Sequence, residues 1–149
     1  MKRLAFIAAA GSALLLGGAF GFQILGYPPC AMCLWQRWPH AAAIALGVLI
    51  YLLGYRILAW FGALAAATTA GIGFFHAGVE KDWWEGPTTC TSGSIDGLSP
   101  EQLLEQILAA PLVRCDDVAW ALGGISMAGW NGLLSTGLML IWIKAATQK

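Results

Sequence analysis

The chain has 149 residues, of which 58% are hydrophobic and only 11% are charged, and its formal net charge at pH 7 is zero. Charged side chains make up about a quarter of a soluble domain, and a nucleic-acid-binding domain carries a basic excess. The composition therefore excludes soluble, disordered and nucleic-acid-binding proteins. It predicts a membrane protein, and the length permits a single domain over residues 1–149.

Four apolar stretches predict four transmembrane helices, at about residues 4–25, 38–55, 57–76 and 118–143. A helix needs about 20 apolar residues to cross a hydrocarbon core of about 30 Å. A cleaved signal peptide is the alternative for the first stretch, but its apolar run exceeds the roughly 7–15 residues of such a segment. The sequence thus predicts an all-α membrane protein, a four-helix transmembrane bundle, with loops at about 26–37 and 77–117.

The distribution of charge orients these helices. One side carries five basic residues and no acid, whereas the other carries three basic residues and all eight acids. Lys and Arg are enriched in cytoplasmic loops. Both termini are therefore expected in the cytoplasm, and the two loops on the outer side of a bacterial cytoplasmic membrane. The five basic residues are Lys2, Arg3, Arg56, Lys144 and Lys149.

Small residues recur at four-residue spacing within the predicted spans. Lipid tails supply no hydrophobic drive for helix association, so close approach across small residues has to supply it. We therefore expect helix contacts at three such stripes, which are Gly17 and Gly21; Ala63, Ala67 and Gly71; and Ala128 and Gly132.

The long outer loop contains the signals of a short amphipathic helix. Ser99 is a favourable N-cap, Pro100 suits the first helical position, and Leu103, Leu104, Ile107 and Leu108 follow at helical spacing up to Pro111. We expect this helix to lie on the membrane surface.

Four cysteines lie in the outer loops as two unlike pairs. Cys30 and Cys33 form a CxxC motif near the start of the second span, whereas Cys90 and Cys115 lie 25 positions apart in the long loop. Exposed thiols in an oxidising compartment indicate disulfides. A structural zinc site needs a second closely spaced pair, and a c-type haem needs His in place of Leu34, so no metal is expected. A redox dithiol is favoured.

The Cys90 and Cys115 pair allows two interpretations. A disulfide between them is either a structural staple of the loop or an exchange partner for another protein. The residues around Cys90, from Thr88 to Gly93, are small and polar. We therefore expect Cys90 to be accessible to an incoming thiolate.

Two further residues are candidates for the redox site. Arg37 follows Cys33 by four residues, so both lie on one helical face. It is either an interfacial anchor or a cation that lowers a thiol pKa and binds an oxygen anion, and its place on the side depleted of basic residues favours the second role. His76 ends the third span on the same side, where an interfacial residue is the simpler interpretation and a hydrogen-bond or proton relay the other.

Three stretches carry a resemblance to the disulfide-bond formation protein B (DsbB) family, and together they extend over nearly the whole chain. They are Pro29-Cys30-Ala31-Met32-Cys33 with Gln36-Arg37-Trp38-Pro39; His76-Ala77-Gly78-Val79-Glu80 with Trp84, Gly86-Pro87 and Cys90; and Cys115-Asp116-Asp117 with Trp120 and residues 124–131. Met32 stands where leucine is expected, which is a volume-conserving change.

The resemblance implies a membrane enzyme that reoxidises a periplasmic DsbA-type thiol oxidase and passes the electrons to a quinone, ubiquinone rather than menaquinone. It implies two redox disulfides, Cys30–Cys33 and Cys90–Cys115. Cys90 would form the mixed disulfide with the partner, Cys33 would face the quinone, and Arg37 and His76 would bind it. The alternatives are a four-helix membrane scaffold or transport subunit with purely structural disulfides, and a paralogue with a dedicated partner.

Overall fold

The computed structural model describes residues 1–88, 90–91, 97, 99–109 and 113–148. Within them the chain forms five helices, α1 (Lys2–Ile24), α2 (Ala31–Leu53), α3 (Ile57–Val79), α4 (Pro100–Ala109) and α5 (Met127–Thr147), and two short strands, β1 (Ala121–Leu122) and β2 (Ile125–Ser126). The protein is mostly helical, in agreement with the predicted class.

Two of the helices, α1 and α3, are long and apolar enough to cross a membrane. Helix α2 is equally long, but its first half carries Gln36, Arg37 and His40. That α2 and α5 also cross the membrane, which the predicted four-helix transmembrane bundle requires, remains a prediction.

The four long helices pack in the order α1, α2, α3, α5, with α5 returning to α1. Helices α2 and α3 form a tight hairpin because Gly54 ends α2 in the left-handed conformation, at φ 74°, which glycine adopts without strain. The core between the helices consists largely of alanine side chains, and it also contains the fully buried Trp142. Large apolar side chains such as Leu14 (77% exposed) and Leu64 (63%) point outward instead, as expected for a surface covered by lipid.

The start of the last helix differs from the prediction of a span from residue 118. Strands β1 and β2 pair antiparallel across Gly123 and Gly124, whose φ angles are 60° and 79°. Two consecutive glycines with positive φ build a two-residue hairpin turn, so the helix cannot begin before it. Helix α5 begins at Met127, where the Ser126 hydroxyl accepts a hydrogen bond from the Gly129 amide, at 3.2 Å.

The short helix of the long loop is present as α4. The Ser99 hydroxyl accepts a hydrogen bond from the Gln102 amide, and the Gln102 side chain accepts one from the Ser99 amide. This reciprocal pair is a capping box, which satisfies the first amides of the helix. Pro111, the predicted end of the apolar pattern, lies outside the described residues.

The predicted stripes of small residues are only partly at helix contacts. Ala63, Ala128 and Gly132 lie against other helices, whereas a Cβ atom at Gly17, Gly21 or Gly71 would meet nothing within 4 Å. Spacing alone could not show which face of each helix meets a neighbour. The closest backbone approach is at Gly73 of α3, where a Cβ atom would lie 2.9 Å from the Ala128 carbonyl oxygen of α5.

We expect Gly73→Ala to lower the stability of the protein by about 1–3 kcal/mol, because the new methyl group forces the backbones of α3 and α5 apart. Gly71→Ala, two residues away in open space, is the control and should leave stability unchanged or slightly higher. Thermal unfolding of both variants in the same detergent measures the difference. Equal midpoints would contradict the contact between α3 and α5.

Candidate redox site

The CxxC motif forms the beginning of α2. Cys30 is the N-cap residue, and its Sγ accepts a hydrogen bond from the Cys33 amide at 3.2 Å. The two sulfur atoms lie 2.8 Å apart, within about 1 Å of the S–S bond length, although both cysteines are free thiols in this structure. A small movement would join them, and the Cys30–Cys33 disulfide and its redox role remain predictions.

The two thiols of this pair are not equivalent. The hydrogen bond with the Cys33 side chain raises the pKa of Cys30, and burial raises it further. Cys30 is only 4% exposed, whereas Cys33 is half-buried. The greater exposure of Cys33 and the raised pKa of Cys30 favour Cys33 as the sulfur that carries the negative charge when the pair is reduced.

Cys90 and Cys115 are joined by a disulfide, with their Cα atoms 5.3 Å apart. Contrary to the predicted accessibility, both residues are completely buried. They pack with Cys30, Met32 and Val79 in one cluster, so all four cysteines meet at the same place. Thr89, Ser92 and Gly93 of the small polar segment lie outside the described residues.

His76 joins the two pairs of cysteines. It is 2% exposed, so the interfacial position that its sequence context favoured is wrong. Its Nε2 atom lies 3.6 Å from Cys30 Sγ and 3.2 Å from the Cys115 carbonyl oxygen. The Cys30 and Cys115 sulfurs and a ring nitrogen of His76 all lie within 4.8 Å of one another. This group does not fit a metal ion here, because the Cys115 sulfur is already bonded to Cys90.

A network of buried polar side chains, which was not predicted, extends from His76 between the helices. Gln36 donates from Nε2 to the Met32 carbonyl oxygen and to His76 Nδ1, each at 3.1 Å. Asn131 donates to Gln36 Oε1 at 2.7 Å and contacts His40 at 2.9 Å. The sequence does contain an indication of this network, namely polar residues within otherwise apolar stretches, because buried polar groups need hydrogen-bond partners.

A cavity of about 520 Å³ opens beside the cysteine cluster. It lies between α1, α2 and α5, and its lining includes Cys30, Cys33 and Arg37 together with the apolar side chains of Leu14 and Phe22. Cavities of this size, mostly apolar with a few polar groups, are typical of small-molecule sites.

Arg37 lines this cavity on the same face of α2 as Cys33, as the spacing predicted. Its guanidinium donates to the Gln23 side chain at 2.8 Å and to the Ala19 carbonyl oxygen at 3.3 Å, and it lies over the Phe20 ring. Its Nε atom is buried without a hydrogen-bond partner. Arg37 is thus held against α1 beside the cavity, and its role as an anchor or as a cation that binds an oxygen anion remains a prediction.

Comparison with known proteins agrees with these features. The model of the family described as "Disulfide bond formation protein DsbB" matches residues 1–145. "Disulfide bond formation protein B" of Verminephrobacter eiseniae is 31% identical over 98% of this chain and 89% of its own length. "Disulfide bond formation protein B 2" of Pseudomonas savastanoi pv. phaseolicola is 30% identical, over 93% and 83% respectively. No solved structure gives a significant match. With its cysteine cluster and apolar helices, the chain belongs to the DsbB family of membrane proteins that form disulfide bonds.

Proposed function

We propose that the protein reoxidises a periplasmic DsbA-type dithiol oxidase and transfers the electrons to a membrane quinone. The single observation that carries this proposal is the meeting of all four cysteines beside an apolar cavity. The thiol pair and the disulfide are close enough to exchange, and the cavity can admit a lipid-soluble electron acceptor.

The ends of the helices support a location in the bacterial inner membrane with both termini in the cytoplasm. At the end opposite the cysteines, Lys2 donates to the Tyr51 carbonyl oxygen at 2.9 Å, and Arg56 donates to the Gln148 carbonyl oxygen at 3.1 Å. Lys2 and Arg56 thus lie at the end of the packed helices opposite the cysteines, as do the other members of the group of five basic residues in the sequence. This is the asymmetry expected when the cysteine loops are periplasmic.

The proximity of Cys115 to Cys30 supports an order for the thiol–disulfide exchange. A thiolate of the partner attacks Cys90 Sγ and releases Cys115 as a thiolate. That thiolate attacks Cys30 Sγ of an oxidised Cys30–Cys33 pair and releases Cys33 as a thiolate. The second thiol of the partner, on losing its proton, then attacks the partner's own sulfur in the mixed disulfide, so that the oxidised partner leaves and Cys90 is released as a thiolate. Cys90 attacks Cys115 Sγ of the Cys30–Cys115 disulfide, which re-forms the Cys90–Cys115 disulfide and leaves the Cys30–Cys33 pair reduced. Because Cys90 and Cys115 are both buried in the resting structure, the loop has to move before the first attack.

The cavity residues fit a quinone. Cys33 and Arg37 border the cavity, and the α1 side chains provide an apolar wall. When bound, a quinone supplies a sink for two electrons and two protons. Arg37 would bind and orient an oxygen atom of the ring, since a cation stabilises the negative charge that develops on it.

The test of the proposed function is a mixture of purified protein, a reduced DsbA-type partner and a water-soluble quinone analogue, followed by quinone absorbance without oxygen. We expect quinone loss that requires both the protein and the partner, and a faster rate with a ubiquinone than with a menaquinone analogue. Disulfides that resist the partner, with no loss of quinone, would overturn the proposal and favour the structural scaffold.

Arg37→Ala is expected to raise the KM for quinone at least tenfold, because a hydrogen bond to a charged group contributes about 1.5–3 kcal/mol. The same titration of initial rate against quinone concentration measures it. Arg56→Ala, which removes a cation at the opposite end of the helices, is the control and should leave KM unchanged. An unchanged KM for Arg37→Ala would return Arg37 to the anchoring role.

A further inference from the structure

Glu80 is a buried carboxyl group beside the cysteine cluster, and the exchange steps above do not use it. It follows the last residue of α3, and its side chain is 7% exposed. Its Oε1 atom lies 3.9 Å from His76 Nε2. Its Oε2 atom is buried without a hydrogen-bond partner. A buried, unpartnered carboxylate oxygen is costly, so its retention calls for an explanation.

Reoxidation of the CxxC pair has to release a proton in a confined place. A disulfide forms from one thiol and one thiolate only if the thiol loses its hydrogen. Cys30 is the more buried member of the pair, at 4% exposure, so a proton on its sulfur cannot pass directly to bulk water. A base within the cluster or on the wall of the cavity is therefore required.

Outside the pair, His76 is a titratable side chain in contact with Cys30, at 3.6 Å, but its hydrogen bonds occupy both ring nitrogens. Gln36 Nε2 contacts the Met32 carbonyl oxygen, so it is a donor, and His76 Nδ1 must accept its second bond. His76 Nε2 consequently carries the hydrogen and donates it to the Cys115 carbonyl oxygen. A neutral His76 in this arrangement has no free lone pair for the proton of Cys30.

We propose that Glu80 is the proton acceptor for the Cys30–Cys33 dithiol. Glu80 borders the same cavity as both cysteines, so a water molecule in the cavity can connect them. The Cys30 thiol, the Cys33 thiolate and the Glu80 carboxylate become a disulfide, a Glu80 carboxylic acid and two electrons. The electrons pass to the quinone of the proposed function, on which this inference rests. Glu80 then releases its proton to the same acceptor, and water supplies the second proton.

The surroundings of Glu80 suit a group that both takes up and releases a proton. Burial raises the pKa of Glu80, and this effect outweighs those of the Ser126 side chain and the charge of Lys81, which act in the opposite direction. A general base is more effective when its pKa lies closer to the working pH, because it then readily releases the proton that it has taken up.

The test compares Glu80→Gln, Glu80→Ala and the control Glu85→Gln, which changes an exposed acid five residues along the chain. Two rates are measured for each protein. The first is quinone reduction by the reduced protein. The second is alkylation of the reduced, quinone-free protein by iodoacetamide, which reports the fraction of thiolate. General-base catalysis contributes about 10²–10⁴-fold, so both Glu80 variants should reduce quinone at least tenfold more slowly. Alkylation should stay equal or become faster, because removal of a negative charge favours the thiolate.

Formate added to Glu80→Ala should restore part of the quinone reduction, since it supplies the missing carboxylate, and it should not affect Glu85→Gln. Wild-type rates in the Glu80 variants would overturn the inference. So would a parallel loss of alkylation and quinone reduction without rescue by formate, which indicates a structural role. Failure of the wild-type protein itself to reduce quinone would instead overturn the proposed function, and this inference with it.

Discussion

Cys33→Ser is expected to reduce quinone reduction to the uncatalysed background. Cys33 borders the cavity and is the more exposed sulfur of the CxxC pair, and serine cannot form the disulfide that releases the electrons. The measurement is quinone absorbance with reduced partner in excess. Quinone binding, measured separately by equilibrium titration, should change little, because the apolar wall and Arg37 remain.

Met32→Leu is a suitable control for this experiment. It changes the neighbouring buried residue with little change in volume, and it should leave the rate nearly unaffected. A wild-type rate for Cys33→Ser would show that electrons leave the protein from another group, and the assignment of the CxxC motif would be wrong.

Cys90→Ser is expected to block electron transfer from the partner while leaving the quinone step intact. Without Cys90 no disulfide links the loop to Cys115, so the partner has no sulfur to attack at that position. Dithiothreitol should still support quinone reduction, because it is small enough to reduce the Cys30–Cys33 pair directly. The ratio of the partner-driven rate to the dithiothreitol-driven rate measures the effect.

In Cys90→Ser the partner-driven rate should fall to the background, as the total rate does in Cys33→Ser. The dithiothreitol-driven rate should be retained, so the ratio should fall by at least as large a factor. Loss of both rates together would indicate that removal of the Cys90–Cys115 disulfide disrupts the fold around the cluster. A wild-type rate with the partner would show that the partner reacts at another cysteine, and it would contradict the proposed order of exchange.

The features of the site that are local in sequence could be predicted. Cys33 and Arg37 lie four residues apart in one helix, and a helix brings such residues onto one face whatever surrounds it. The N-cap of α4 and the stop of α2 at Gly54 are likewise properties of a few adjacent residues. The hairpin at Gly123 and Gly124 belongs to this class as well, because two adjacent glycines favour such a turn, although the apolar residues around them favour a continuous helix.

The features that depend on packing between helices could not be predicted. The hydrogen bond from Asn131 to Gln36 joins residues 95 positions apart, and that from His76 to the Cys115 carbonyl oxygen joins residues 39 positions apart. The burial of His76 and Cys90 depends on the same packing, and for this reason their expected positions at the surface were wrong. The sequence places Glu80 in a motif, but the burial of its carboxylate could not be predicted, because nothing in its immediate sequence indicates it.

The most direct test of the central claim is a single turnover of the purified protein, reduced at Cys30 and Cys33 and mixed anaerobically with quinone in the absence of any partner. Quinone absorbance and free thiols are counted together. The account predicts one quinone reduced for each pair of thiols lost, with the new disulfide mapped to Cys30 and Cys33. Retention of both thiols in the presence of excess quinone would contradict it.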